Sequence, residues 1–318
     1  MPLILKAKIS LMKSFASDNY AGVLPEMMQA LNNANAYHAR SYGSDEITKR
    51  TVAIFRKIFD ADVDVYFVFN GTGANLLSIS SATQSYNAVL CADISHIYND
   101  ESSAPETITG CRFFPLKANE NGKLDTPIIQ ERLIRKGDVH YPQTKLVSLT
   151  QSTEYGTVYT QEEIKTISNL CKEHGLYLHV DGSRFFNAAA ALGCDLKDIS
   201  TSAGVDILSL GGTKAGMMFG EAVVVFNKAL SEHIAYKQKQ IIQLASKTRF
   251  IAAQFEAMMY NELWRSTASH SNKMAQLLHK TLLKYPEIKV TKPVQANAIF
   301  AEIPKHWYEP MQQHFPFV

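Results

Sequence analysis

Strand-length apolar runs alternate with helix-like segments through the middle of this chain, and that alternation narrows the possible folds more than any other feature. Val63–Phe69 reads as a buried strand and runs into Asn70-Gly71-Thr72-Gly73-Ala74-Asn75, which opens a helix. Further strands are expected at Asn87–Ala92, Lys145–Thr150, Leu176–Val180, Val205–Leu210 and Glu221–Phe226. Thr160–His174 has helical periodicity, with Thr160 as N-cap and Glu163 three residues on, the pattern of a capping box. A second helix is expected from the end of the Leu176–Val180 run through Ala191. Strands separated by helices imply an α/β fold with a mostly parallel sheet covered on both faces.

The pattern changes after Asn227. Helical stretches dominate Lys228–Tyr285, followed by an expected strand pair, Ile288–Thr291 and Asn297–Ile303. The chain therefore divides into an N-terminal extension over 1–16, a large domain over 17–227, and connecting helices with a smaller α+β domain over 228–318. Lysines interrupt the apolar stretch in Met1–Leu11 and no small-residue cleavage site follows, so a secretory signal is not indicated. Met12 is the expected true start, with Met1–Leu11 an upstream extension. No apolar run reaches the roughly 18 residues of a membrane span. The formal net charge of +2 gives no reason to expect nucleic acid or membrane as a partner. Cys91, Cys111, Cys171 and Cys194 are scattered, with no C-x-x-C spacing. Neither zinc nor a disulfide framework is indicated, and a cytoplasmic location is expected.

Two segments carry the sharpest chemistry. Leu208-Ser209-Leu210-Gly211-Gly212-Thr213-Lys214 ends an apolar run in small residues and a lysine. A desolvated lysine can lose its proton and form a Schiff base with an aldehyde. Upstream, His179-Val180-Asp181-Gly182-Ser183-Arg184 ends another run in an acid. A buried carboxylate is what pyridoxal 5'-phosphate (PLP) needs opposite its ring nitrogen. Together they propose a PLP enzyme. A strand-end aspartate also serves as a helix cap, and a lone lysine is usually a surface residue, so each segment is weak without the other.

Other residues fit the same picture. Gly71, Thr72 and Gly73 expose backbone N–H groups at a helix start, an anion site suited to an isolated phosphate. Leu76 stands where the dinucleotide fingerprint needs its third glycine, which argues against a NAD-dependent dehydrogenase. His96 lies just past a strand end, where it could stack on a cofactor ring and handle protons, with Glu101 as a possible partner. Arg184 could grip a carboxylate bidentately.

These segments, in this order, resemble the low-specificity L-threonine aldolases of the fold-type-I PLP-dependent enzymes. The resemblance runs from about Phe15 to the end and takes in Ser17-Asp18-Asn19-Tyr20, Tyr42-Gly43, Asn70–Asn75, Ser95-His96, Gln151–Thr157, His179–Arg184 and Gly211–Lys214. It implies that Lys214 holds PLP, Asp181 pairs with the pyridine N–H and His96 stacks on the ring. It implies that Thr72, Gly73 and the start of their helix bind the phosphate, that Ser17 and Arg184 bind the substrate carboxylate, and that Arg249 contacts cofactor or substrate. It further implies a homotetramer whose sites are built across a dimer interface, and no metal. The implied reaction is retro-aldol cleavage of L-threonine or L-allo-threonine to glycine and acetaldehyde. A β-eliminating lyase, or an aldolase for a bulkier β-substituted amino acid, is the alternative within PLP chemistry. The family also carries a second carboxylate-binding arginine in a C-terminal strand and helix. The chain ends before it, which makes a truncated, catalytically impaired relative the third expectation.

Overall fold

The computed structural model describes residues 13–318. The expected start at Met12 and the extension before it lie outside the described residues. A seven-stranded sheet forms the centre, built from β1 (Asp64–Val68), β2 (Asn87–Ala92), β3 (Arg112–Leu116), β4 (Gln143–Thr150), β5 (Tyr177–Gly182), β6 (Ile207–Gly211) and β7 (Glu221–Val225). Their order across the sheet is β1-β7-β6-β5-β4-β2-β3. All pairings are parallel except those of β7, which runs antiparallel to both β1 and β6. A strand antiparallel to two neighbours leaves those neighbours pointing the same way. Hence β1, β2, β3, β4, β5 and β6 all end at one edge, where ligands of open α/β sheets bind.

The expected mostly parallel α/β architecture is what forms. Asn87–Ala92 is a strand over those same residues. Thr160 and Glu163 exchange both capping-box bonds, and Gly175 closes their helix in the left-handed region at φ +71. Four features differ from the sequence reading. The strand β3 interrupts its own apolar run with Pro115, which its place at the sheet edge tolerates. The reversal of β7 is not encoded in its apolar run. The helical stretch after Asn227 breaks into Ile234–Gln240, Arg249–Met259 and Leu263–Leu282. The expected strand pair forms only as the short β8 (Lys289–Val290) and β9 (Ala301–Glu302).

The helix Gly71–Ala82 is buried along most of its length, including the polar Asn75 and Ser78. Buried polar groups need partners. Ser78 Oγ meets Ser209 Oγ at 3.0 Å, and Ser209 Oγ lies 2.9 Å from His179 Nε2. His179 Nδ1 completes the chain with Ser148 Oγ at 2.8 Å. This polar relay pins the helix to the sheet two residues before Asp181.

His179 is fully buried, and loss of hydration pushes its pKa down to about 4. The unfolded chain takes up that proton near pH 6.5, whereas the folded chain refuses it until about pH 4. Within that window the unfolded state binds more protons, so stability falls as pH falls. The loss should reach roughly 3 kcal/mol at the acid end. Urea midpoints of wild type and His179→Asn, compared between pH 7 and pH 4.5, check this. The variant should have the flatter curve, and parallel curves would refute the assignment.

Candidate active site

Five of the strands that end at the common edge deliver candidate groups. β5 ends in Asp181 and Gly182, and Asp181 is only 2% exposed. Its Oδ1 accepts from the backbone N–H of Ser183 at 3.1 Å and from Ser183 Oγ at 2.8 Å. Its Oδ2 accepts from Asn75 Nδ2 at 2.9 Å. A carboxylate oxygen has room for about two donors, so Oδ2 retains capacity for one more N–H. Asp181 is thus oriented by three donors and is more than a helix cap.

Asn75 Nδ2 also donates to Glu101 Oε1 at 2.8 Å, and that same oxygen lies 3.0 Å from His96 Nδ1. Glu101 is buried, and its hydrogen bond raises the His96 pKa against the opposing effect of desolvation. Because Glu101 engages Nδ1, the other ring nitrogen, Nε2, is left for chemistry. The charges of Asp181 and Lys214 also act on His96, which brings all three groups into one site. The backbone of His96 is held separately. Glu154 Oε1 accepts its N–H at 2.9 Å and the Thr150 hydroxyl at 2.9 Å. Burial raises the Glu154 pKa.

Lys214 sits in a single 3-10 turn, Thr213–Ala215, directly after β6. The turn is anchored from below by Glu221, the first residue of β7, whose Oε2 accepts the Gly212 N–H at 2.5 Å. Glu221 is buried, and desolvation pushes its pKa up to about 7, against hydrogen bonds from Thr213 and Gly212 and the nearby charge of Lys214. The loop also needs its glycine: a Cβ on Gly211 would sit 2.4 Å from the Ser183 carbonyl oxygen. The lysine loop and the Asp181 loop therefore pack backbone to backbone.

The helix Gly71–Ala82 begins at the end of β1, with Asn70 Oδ1 capping the Gly73 N–H at 2.8 Å. A Cβ on Gly73 would meet the Gln243 side chain at 2.3 Å, so the glycine leaves a cradle that a glutamine amide fills. Gln243 Oε1 also accepts the Phe69 N–H at 3.0 Å. Gly71 and Thr72 are half-buried beside it, and a Cβ on Gly71 would lie 4.0 Å from Ser183 Oγ. Ser183 thus adjoins the helix start, Asp181 and the lysine loop together.

Arg184 and Ser17 come together through a third residue. Arg184 donates from Nε and Nη2 to the two carboxylate oxygens of Asp18, at 2.7 and 2.9 Å. Ser17 caps the turn Asp18–Tyr20, and its Oγ accepts the Asn19 N–H. Arg249 is engaged elsewhere, its Nε donating to the Ala34 carbonyl at 3.1 Å. Five residues with clear contacts in the site had no role in the sequence reading: Asn75, Glu154, Asp18, Glu221 and Gln243. The first three lie inside quoted motifs. An acid opening an otherwise apolar strand was the available signal for Glu221, and nothing local marked Gln243.

Several buried polar atoms here have no partner: Asn75 Oδ1, Ser95 Oγ, Glu101 Oε2, Ser152 Oγ, Glu154 Oε2 and Asn297 Oδ1. Such atoms are costly, and among the described residues Glu106 Oε2 and Tyr141 Oη are unpartnered too. The site offers a buried acid, a helix start whose Gly73 cradle is occupied here by the Gln243 amide, and a lysine on a short loop, with an arginine beside them. That set can hold a planar aldehyde bearing an anionic group and present it to a carboxylate-bearing amine.

Comparison with known proteins gives concordant results. The beta-eliminating lyase family matches residues 14–305. The low specificity L-threonine aldolase of Pseudomonas aeruginosa is 44% identical over 291 residues, covering 92% of this chain and 84% of the relative. The protein of that name from Pseudomonas sp. strain NCIMB 10558 is likewise 44% identical over 291 residues, with the same coverage. The solved structure of Leishmania major threonine aldolase superposes with a TM-score of 0.90 at 32% identity, covering 95% of this chain and 88% of that one.

Proposed function

This chain belongs to the beta-eliminating lyase family, and on that premise we propose that it is a PLP-dependent aldehyde-lyase cleaving L-threonine and L-allo-threonine to glycine and acetaldehyde. The observation that carries the reading is the packing of the Lys214 loop against the Asp181 loop, an acid and a lysine held at one sheet edge. PLP, when bound, supplies an aldehyde for the substrate amine and a ring that accepts the electron pair of the broken bond.

The chain's own residues fit that group. Lys214 would hold its aldehyde carbon. Asp181, with spare capacity at Oδ2, would take the ring N–H and keep it protonated. His96 would lie on the ring face. Gly71, Thr72 and Gly73 would seat the phosphate on the helix start, where N–H groups and the helix dipole favour an anion. Arg249 is assigned to cofactor or substrate from the resemblance alone.

Ser17 and Arg184 would bind the substrate carboxylate. Fixing that carboxylate orients the substrate so that Cα–Cβ is the bond that breaks. We assign His96 Nε2 as the acceptor of the β-hydroxyl proton, with Glu101 holding Nδ1. Its raised pKa suits a base that must keep the proton while the aldehyde departs.

We also propose a homotetramer built from dimers, located in the cytoplasm. An apolar groove of about 350 Å³, lined by Leu31, Phe69, Phe219 and Phe250 among others, lies beside the helix start and the lysine loop. Exposed apolar surface of this kind supports a second copy as its cover. Among the described residues, no helix is long and apolar enough to cross a membrane.

The test is a product assay on the PLP-loaded protein with threonine, serine and phenylserine. Threonine should yield equal amounts of acetaldehyde and glycine. Turnover of another β-substituted amino acid with none of threonine would replace this reading by the β-eliminating or bulky-substrate alternative. A visible absorbance band that borohydride abolishes, with no turnover of any of the three, would instead mark an impaired relative.

A further inference from the structure

Asp18 occupies one side of the Arg184 guanidinium, the group to which the proposed function gives the substrate carboxylate. The pair is bidentate, from Nε and Nη2 to the two carboxylate oxygens. Asn297 Nδ2 adds a third donor to Asp18 Oδ2 at 3.3 Å. Among the described residues Nη1 donates to nothing, so the guanidinium keeps an edge with unused N–H groups. Arginine carries five donors in a rigid fork, and gripping one side fixes the direction of the rest.

The same contact ties down the segment of Ser17. Asp18 opens the turn that Ser17 caps, so docking Asp18 on Arg184 anchors that turn to the arginine. The segment is tied down again at Leu24, whose N–H bonds the Gly216 carbonyl at 3.0 Å, just past the lysine turn. One ion pair thereby couples both candidate carboxylate ligands to the loop that bears Lys214.

We infer that Asp18 is a positioning residue for substrate recognition: it holds Arg184 by the Nε–Nη2 side, leaves the Nη1 edge to the substrate carboxylate, and anchors the turn that Ser17 caps. The inference rests on the assignment of Arg184 to that carboxylate. The opposite role, an internal anion that the substrate must displace, conflicts with the three donors on Asp18. Displacement would strip a partly buried carboxylate of the two donors from Arg184.

The test uses the PLP-loaded protein with Asp18→Asn, Asp18→Ser, Arg184→Lys and the Asp18→Asn/Arg184→Lys double variant. KM and kcat for threonine, glycine affinity by calorimetry, and the melting temperature are measured for each. Both Asp18 variants should raise KM and weaken glycine binding by about tenfold while kcat stays within about twofold, because binding geometry is lost and the reacting groups are not. The double variant should be no worse than Arg184→Lys alone. A lower KM in Asp18→Asn would show that Asp18 competes with substrate and would overturn the inference. Unchanged KM, or additive losses in the double variant, would overturn it too. A fall in kcat and melting temperature at constant KM would reduce Asp18 to a structural tie. If Arg184→Lys leaves KM and glycine affinity untouched, the assignment of Arg184 itself fails, and the inference with it.

Discussion

Replacing Lys214 with alanine should abolish turnover of threonine, the largest effect expected of any single substitution in this chain. Lys214 follows β6 by a short turn at the ligand edge and sits within the electrostatic reach of His96 and Glu221. Its turn is held by the Glu221 carboxylate and by close backbone packing on Ser183, neither of which uses the lysine side chain. The alanine variant should therefore fold and melt much like the wild type. Borohydride treatment of the PLP-loaded wild type, followed by peptide mapping, should place the pyridoxyl group on Lys214. PLP should remain bound to the alanine variant without a covalent link. An adduct confined to a different lysine, or an active alanine variant, would sink the assignment.

Asp181→Asn should lower kcat by about 10²–10³, the range seen when a preorganised electrostatic partner is removed from an active site. The amide is nearly isosteric, but it cannot hold a ring nitrogen protonated as a carboxylate does. The structure also predicts a smaller cost in folding. Ser183 donates twice to Oδ1, so the amide oxygen of the variant should turn that way. Its NH₂ group then faces Asn75 Nδ2, a donor against a donor, in a site closed to water. An unmade bond of that kind costs about 1–3 kcal/mol, a measurable drop in melting temperature far smaller than the loss in rate. Near-normal activity with a lowered melting temperature would reduce Asp181 to a structural residue.

The two losses also separate what different parts of the site contribute. Lys214 stands alone on its loop, and its removal touches no network. Asp181 is one end of a chain of buried groups that passes through Asn75 and Glu101 to His96. A change at Asp181 is therefore expected to disturb His96 through hydrogen bonds as well as charge, whereas a change at Lys214 reaches His96 through charge alone.

The sequence by itself determined the strands and helices whose signals are local. Apolar runs placed β1, β2, β4, β5, β6 and β7. The Thr160–Glu163 box set a helix start, and the small residues around Gly71, Gly73, Gly211 and Gly212 marked where the backbone must turn tightly. Each of these is legible because the physical requirement acts on neighbours in the chain: a hydrogen bond three residues away, a side-chain period, a glycine where a Cβ cannot fit. The tertiary structure alone decided the rest. It reversed β7 and added β3 at the edge. It placed Asn75 between two carboxylates, put Glu221 beneath the lysine loop and Gln243 in the Gly73 cradle, and paired Asp18 with Arg184. These contacts join residues as far as 174 positions apart. No periodicity or cap encodes them. They exist because the sheet brings the ends of six strands to one edge, where buried polar groups must find partners across the chain.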